Sequence, residues 1–140
     1  MGSSLLSRAR LGCLALIAAL WLHCAQAAAG DIYIVANDVA LSPSDVREVY
    51  FGEKEFSGNT RLVPVDNLSS QNEFLPKVLS MNDQRYTSLW VRKAFRDALN
   101  PPAVKANDAE VIAFVKQTRG AIGYVSIMPR DKEVRVVAKF

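Results

Sequence analysis

The stretch Gly120-Ala121-Ile122-Gly123-Tyr124-Val125 (GAIGYV) carries the strongest fold signal in the sequence. It follows apolar residues at helical spacing and is itself a short apolar run. We therefore predict that a helix stops at Gly120 and that a buried strand covers residues 121–126, with Gly123 allowing a close backbone approach. The two glycines are not a phosphate loop, because the lysine and the serine or threonine of that motif are missing.

The sequence on either side of GAIGYV alternates between strand and helix patterns. Further strands are predicted over residues 31–36, 61–65 and 134–139. Helices are predicted from the cap Ser42 to Phe51, after the turn 66–70, over 83–99, and from Asn107 to Gly120. This order favours an α/β layer, and the helices between the early strands predict that those strands are parallel.

Prolines and aromatic residues refine this prediction. Pro64 cannot donate to a ladder, which favours an edge position or a short pairing for the strand 61–65. Pro76 lies within the second helical pattern and predicts a kink or an interruption there. The apolar side of the helix 83–99 is marked by Tyr86, Leu89, Trp90, Ala94 and Phe95.

Residues 1–27 have the features of a cleavable signal peptide. Arg8 and Arg10 form its positive start, and Ala25-Gln26-Ala27 forms a small-residue cleavage site. The apolar stretch 11–22 is twelve residues long, whereas spanning a bilayer takes about 20. We therefore predict a secreted chain whose single domain covers residues 28–140. The alternative, a lipid on Cys24, lacks the leucine and the small residue that should precede the cysteine.

Residues 28–140 contain neither cysteine nor histidine, because Cys13, Cys24 and His23 all lie before the predicted cleavage. This excludes a cysteine nucleophile, a serine–histidine pair, disulfide bonds and a structural zinc site with nitrogen and sulfur ligands. The sequence therefore predicts a non-enzymatic domain that needs no cofactor and no metal.

The net charge of residues 28–140 is close to zero. Arg8 and Arg10 are the two basic residues that precede them, so 15 basic and 14 acidic residues remain and give +1. A chain without a broad basic face does not bind the phosphate backbone, and nucleic acid is not an expected partner.

Three polar segments follow predicted strands, at the positions where open α/β sheets bind ligands. They are Asn37-Asp38, the turn 66–70 and Ser126. Within the turn, Ser69 and Ser70 precede a helix whose free N–H groups would suit an oxyanion. We predict Asn67, Ser69 and Ser70 as ligand-binding residues, with no catalytic and no metal-ligating residue. The alternative is that Ser69 only caps the helix and Asn67 only shapes the turn.

Two catalytic arrangements are weaker hypotheses. Glu53, Glu55 and Asp66 are scattered over predicted loops, and no spacing argument brings two of them together as acid and base. Ser70 and Lys77 are seven residues apart, or roughly 10 Å along a helix, which is too far for proton transfer.

The landmarks along residues 28–140 resemble, in their order, the phosphate-binding proteins of bacterial ABC transporters. GAIGYV after Phe114-Val115 is the most specific of them. The other landmarks support the resemblance through their order along the chain: Phe51-Gly52, Leu62-Val63-Pro64-Val65, Phe74, Val78-Leu79, Trp90, Phe95 and Pro101-Pro102. Full-size members have two α/β lobes that close on phosphate, and this chain resembles the second lobe alone. The resemblance implies a periplasmic-binding-protein-like lobe with a mixed sheet flanked by helices.

The resemblance also implies where an anion binds. The family's second lobe carries an Arg-x-Asp-Gly-Ser-Gly-Thr turn at the phosphate, and the matching stretch runs from Val65 to Ser70. Its serine corresponds to Ser69, with Ser70 and Asn67 beside it. Val65 stands in place of the arginine and both glycines are absent, which weakens charge compensation and close backbone approach.

Two functions of different classes follow. The first is a periplasmic, non-enzymatic solute-binding-like domain for phosphate or a related oxyanion, working with a membrane transporter. The second is an accessory module that keeps the lobe without its ligand and docks to a transporter, a sensor or another envelope protein. A homodimer in which each copy supplies one lobe is a further form of the first function.

Overall fold

The computed structural model describes residues 30–140, so the predicted signal peptide lies outside the described residues. The strands are Tyr33–Ala36 (β1), Phe56–Ser57 (β2), Thr60–Arg61 (β3), Val63–Asn67 (β4), Ala103–Lys105 (β5), Ala121–Val125 (β6) and Arg135–Lys139 (β7). The helices are Pro43–Tyr50 (α1), Gln71–Phe74 (α2), Asp83–Asp97 (α3) and Asp108–Gln117 (α4), and a π-helical turn, Leu75–Leu79, continues α2. These elements confirm every predicted strand and helix, while β2, β3 and β5 were not predicted.

Five strands form one mixed sheet in the order β5-β4-β6-β1-β7. β4 is parallel to both β5 and β6, whereas β1 is antiparallel to β6 and to β7. The predicted mixed sheet flanked by helices is confirmed, but the prediction that the early strands are parallel is wrong. The connection between β1 and β4 carries the β2–β3 hairpin in addition to α1, so it is not a simple strand–helix–strand crossover.

The side chains of β6 alternate between the two faces of the sheet. Ile122 and Tyr124 pack into the cluster that contains residues of α1, α2 and α3. Ala121 and Val125 pack on the other face with Val111 and Val115 of α4. The helices therefore form two layers that cover both faces, which explains why the whole of β6 is buried.

Gly123 has the predicted role, whereas Gly120 lies three residues beyond the end of α4, in the turn that leads into β6. Gly120 follows α4 with a φ of +78°, a conformation that favours glycine. A Cβ atom on Gly123 would lie 2.5 Å from Cγ1 of Val111, so a side chain at this position would push α4 away from the sheet. Gly123 thus sets the distance between α4 and β6.

Pro64 does not place β4 at the edge, because β4 lies between β5 and β6. The N–H of Val63 donates to the carbonyl of Gly120 at 2.9 Å, so the nitrogen of Pro64 faces the opposite neighbour. On that side β5 pairs only from Val65 onward. The N–H that Pro64 lacks would therefore face a position where β4 has no neighbouring strand. The pairing of β4 with β5 and with β6 is short, as predicted.

The helix around Pro76 is interrupted as predicted, because α2 changes there into the π-helical turn.

In α3, Tyr86 and Trp90 are buried, but Phe95 is 90% exposed, so its assignment to the apolar side is wrong. Five residues beyond Trp90 correspond to about 140° around the helix axis, which turns Phe95 to solvent. Among residues 30–140, no helix combines the length and the apolar character that crossing a membrane requires.

Candidate functional site

The parallel strands β4 and β6 end at the same edge of the sheet, and polar residues meet there. Asn67 ends β4, and Ser126 follows β6. Asp108, the first residue of α4, joins them: its Oδ1 accepts from Nδ2 of Asn67 at 2.7 Å, and its Oδ2 accepts from Ser126. We call Asn67, Ser69, Ser70, Asp108 and Ser126 the carboxyl-edge site.

The carboxylate of Asp108 accepts hydrogen bonds from two different strand ends. Its Oδ2 accepts from the backbone N–H and the hydroxyl of Ser126, each at 3.0 Å, and from the N–H of Ile127 at 3.2 Å. The side-chain amide of Asn67 completes the set. Amide and hydroxyl donors that converge on one carboxylate are the groups that would also hold a phosphate or carboxylate ligand. The site as folded thus holds an anion of its own.

Asn67 organises the predicted ligand-binding residues. Its side chain is buried, and its Nδ2 also donates to the carbonyl of Tyr124 at 3.0 Å. Its Oδ1 accepts from the backbone N–H of Ser69 at 3.1 Å and from the Ser69 hydroxyl at 2.7 Å. Asn67 and Ser69 are therefore in direct contact, and the donors of Ser69 are engaged within the turn.

Ser70, and not Ser69, occupies the N-cap position of α2, so the interpretation of Ser69 as the helix cap is wrong. Ser70 is 2% exposed, and within residues 30–140 its hydroxyl makes no hydrogen bond, not even a cap bond. A buried hydroxyl without a hydrogen-bond partner destabilises the folded state. Such hydroxyls are uncommon in proteins unless the group serves another purpose.

The segment Asn37-Asp38 does not join this site. The N–H of Asn37 donates to the carbonyl of Ala121 at 3.0 Å, and Asn37 accepts from Gly120 at 3.1 Å. These contacts place the end of β1 beside the beginning of β6, because the two strands are antiparallel. Of the three predicted places, the turn 66–70 and Ser126 come together, and Asn37-Asp38 lies at the opposite edge.

Asp66 precedes Asn67 in β4 and points to the opposite face of the sheet. Its carboxylate is buried and accepts from the hydroxyl of Tyr86 at 2.9 Å and from that of Tyr124 at 3.1 Å. Burial raises the pKa of Asp66 to about 6, although the two tyrosine hydrogen bonds oppose the change. Burial and the charge of Asp66 raise the pKa of both tyrosines far above the ordinary value, so they remain donors.

The sequence reasoning missed Asp108 and the Tyr86–Asp66–Tyr124 network. One signal for Asp108 was present, since it opens a helix and follows Asn107, which caps that helix. The helix start lies at the edge where parallel strands end. Asp66 gave no comparable signal, because it falls in the predicted turn 66–70, directly after the predicted strand 61–65.

Among the residues that the structure describes, Ser70 and Lys77 are not hydrogen-bonded to each other and no cluster of metal ligands is formed. The ammonium of Lys77 donates to the carbonyl of Gly30 and does not contact Ser70. Within residues 30–140, no three side chains of metal-binding type converge.

Comparison with known proteins shows the fold. A structure from Clostridium perfringens, described as a phosphate ABC transporter substrate-binding protein with bound phosphate, matches with a TM-score of 0.57 and 14% identity, over 78% of this chain and 45% of that chain. An ABC-type phosphate transport receptor from Vibrio cholerae matches with a TM-score of 0.50 and 15% identity, over 78% and 46%. No family model and no curated protein matches the sequence.

This chain therefore spans about half the length of the binding proteins that it resembles. Its mixed sheet flanked by helices has the fold of one lobe of a periplasmic-binding-protein-like structure. The resemblance seen in the sequence is thus confirmed at the level of the fold.

Proposed function

We propose that the chain is a non-enzymatic periplasmic domain that binds phosphate or a related oxyanion at the carboxyl-edge site and works with a membrane transporter. The observation that carries this proposal is the set of donors around Asp108. Amide and hydroxyl groups from Asn67, Ser126 and Ile127 already surround a carboxylate, so this edge of the sheet can hold an oxyanion. The Ser70 hydroxyl, which has no partner among residues 30–140, is a further donor close by in the chain.

The same geometry implies weak binding. Asp108 competes with a ligand for its donors and repels it, and Val65 supplies no positive charge. A single lobe also leaves the anion in contact with water, which screens every charge interaction. We therefore expect phosphate binding in the millimolar range, without a second lobe to close over it.

A phosphate titration tests the proposal directly. Calorimetry and amide NMR shifts are recorded with sodium phosphate and, at equal ionic strength, with sodium chloride as the screening control. Phosphate should move the amide resonances of Ser69 and Ser126, and chloride should not. The double variant Ser69→Ala and Ser70→Ala should weaken the shift at Ser126, whereas Ser88→Ala, on the exposed side of α3, should keep it. Equal shifts with both salts contradict the proposal.

The accessory module is the second candidate, and one observation favours it. Asp108 satisfies the donors that a ligand needs, so the lobe is complete without any bound anion. In that case the chain contributes a surface to a transporter, sensor or envelope protein. Phosphate should then leave the Ser69 and Ser126 resonances unchanged, and the double serine variant should bind the partner as the natural chain does. Loss of partner binding in that variant counts against the accessory role.

A further inference from the structure

A cavity of about 390 Å³ lies between α3 and the outer strand β5. Its volume is in the range of small-molecule sites in proteins. The apolar part of its wall comes from α3, β5 and the prolines before β5, and includes Trp90, Val91, Ala94, Pro102 and Val104. Val91 and Val104 are each about half exposed, so apolar surface remains uncovered at this position.

The charged groups that line the cavity are all acidic. Asp66 and Asp83 line it, and no lysine or arginine does. Asp66 is 3% exposed and receives hydrogen bonds from tyrosine hydroxyls, but none of the ion pairs among residues 30–140 involves it. A buried carboxylate without a counter-ion is costly, and a cation beside it would recover part of that free energy.

Aromatic groups stand next to this carboxylate. Tyr86 lines the cavity and donates to Asp66, and Trp90 lines it one helical turn further along α3. Trp90 is 6% exposed, and its indole N–H lies close to the Tyr86 hydroxyl without reaching hydrogen-bond geometry to any of the described residues. Faces of tryptophan and tyrosine attract cations, and a ligand with an acceptor atom can also satisfy the indole.

From these observations we propose that the cavity between α3 and β5 binds a small organic cation, an ammonium group on an apolar body. The ammonium lies at Asp66, and the apolar body lies against Val91, Pro102 and Val104. This chemistry matches each part of the wall: a carboxylate without a cation, two aromatic rings and an apolar rim.

This site is independent of the proposed oxyanion site. Asp66 and Asn67 are neighbours in β4 but point to opposite faces, so the cation contacts α3 and the anion contacts the start of α4. A substitution that removes the binding of one ligand without unfolding the chain should therefore leave the binding of the other.

Three probes of matched shape test the role of charge. They are phenethylammonium, 2-phenylethanol and phenylacetate, which are cationic, neutral and anionic. Binding to the full chain is followed at pH 7.5 by the NMR resonance of the Trp90 indole N–H, assigned by comparison with Trp90→Phe. Phenethylammonium should bind at least about tenfold more tightly than 2-phenylethanol, as expected for a desolvated charge pair, and phenylacetate should not bind.

Substitutions locate the site. Asp66→Asn should bring the affinities for phenethylammonium and 2-phenylethanol to within about twofold of each other, whereas Asp83→Asn should keep the preference because Asp83 is exposed. Ala94→Phe should fill the cavity and weaken binding at least about tenfold. Its matched control is Ala113→Phe, an exposed alanine on α4, which should bind as the natural chain does. If Asp66→Asn does not fold, Ala94→Phe and the three probes decide the question.

The proposal is overturned by equal binding of the ammonium and the alcohol, which identifies an apolar pocket only. It is overturned equally by an unchanged Trp90 resonance with all three probes, or by a charge preference that survives in a folded Asp66→Asn variant.

Discussion

Tyr124 donates its hydroxyl to the buried carboxylate of Asp66 at 3.1 Å. The backbone carbonyl of Tyr124 accepts from Asn67, the next residue of β4, at 3.0 Å. One residue of β6 thus holds consecutive residues of β4, whose side chains lie on opposite faces of the sheet. The ring of Tyr124 stacks on Phe74 with a centroid distance of 3.7 Å, which fixes its position in the core. The edge that carries the candidate site is therefore connected rigidly to the core beneath it.

The pH dependence of stability tests the state of Asp66. Its pKa is about 6 in the folded protein against an ordinary value of 3.8. The folded state keeps a proton that the unfolded state releases, so the contribution of Asp66 to the free energy of unfolding falls as pH rises from about 4 to about 6. Tyr50, Tyr86 and Tyr124 surround it and stay neutral throughout this window.

We expect Asp66→Asn to remove this contribution, which amounts to about 3 kcal/mol over the whole window. Urea denaturation of both proteins at several pH values measures the difference. The natural chain should lose stability relative to the variant as pH rises, and Asp83→Asn provides the control, because Asp83 is exposed. A constant difference between the natural chain and Asp66→Asn from pH 4 to 7 means that Asp66 does not titrate in this range.

Tyr124→Phe removes one donor from Asp66 and keeps the stacked ring. We expect a loss of about 2 kcal/mol in the free energy of unfolding at pH 7, where the carboxylate is ionised. Tyr33→Phe is the matched control, since Tyr33 donates to Asp31 at 3.2 Å near the surface and should cost less than about 0.5 kcal/mol. Similar losses in the two variants indicate that the buried hydrogen bond adds nothing.

Gly123→Ala tests the packing of α4 on the sheet. The new Cβ would meet Val111 at 2.5 Å, so helix and strand must separate, at a cost of about 1–3 kcal/mol. At Gly30 a Cβ atom would lie 3.5 Å from Glu73, an ordinary contact, and Gly30→Ala should be nearly neutral. Thermal unfolding compares the two, and equal midpoints contradict the close approach at Gly123.

Local patterns in the sequence predicted the elements well. GAIGYV encodes a buried strand in its continuous apolar run, and its glycines act through the positive φ of Gly120 and the absence of a side chain at Gly123. Pro76 likewise interrupts its helix through its own covalent structure. In both segments, the local structure is determined by the properties of a few residues that are adjacent in the sequence.

The errors concern relations between distant segments. The direction of a strand depends on the edge of the sheet at which the connection before it ends. The prediction of parallel early strands therefore placed the end of β1, and Asn37 with it, at the wrong edge. Asp108 is 41 residues from its partner Asn67, and no local pattern reveals that contact. The position of Phe95 was a different error, because its helical angle relative to Trp90 was available from the sequence.

The affinity of Asp108→Ala for phosphate tests the central claim most directly, because this substitution removes the anion that the carboxyl-edge site holds. Two unit charges about 4 Å apart interact by several kcal/mol near a protein surface, so phosphate affinity should rise at least about tenfold. Asp83→Ala is the matched control, since Asp83 also follows an asparagine cap and opens a helix. The account predicts tighter binding in Asp108→Ala alone, with shifts at Ser126 and Ile127; no binding in that variant, or an equal gain in Asp83→Ala, contradicts it.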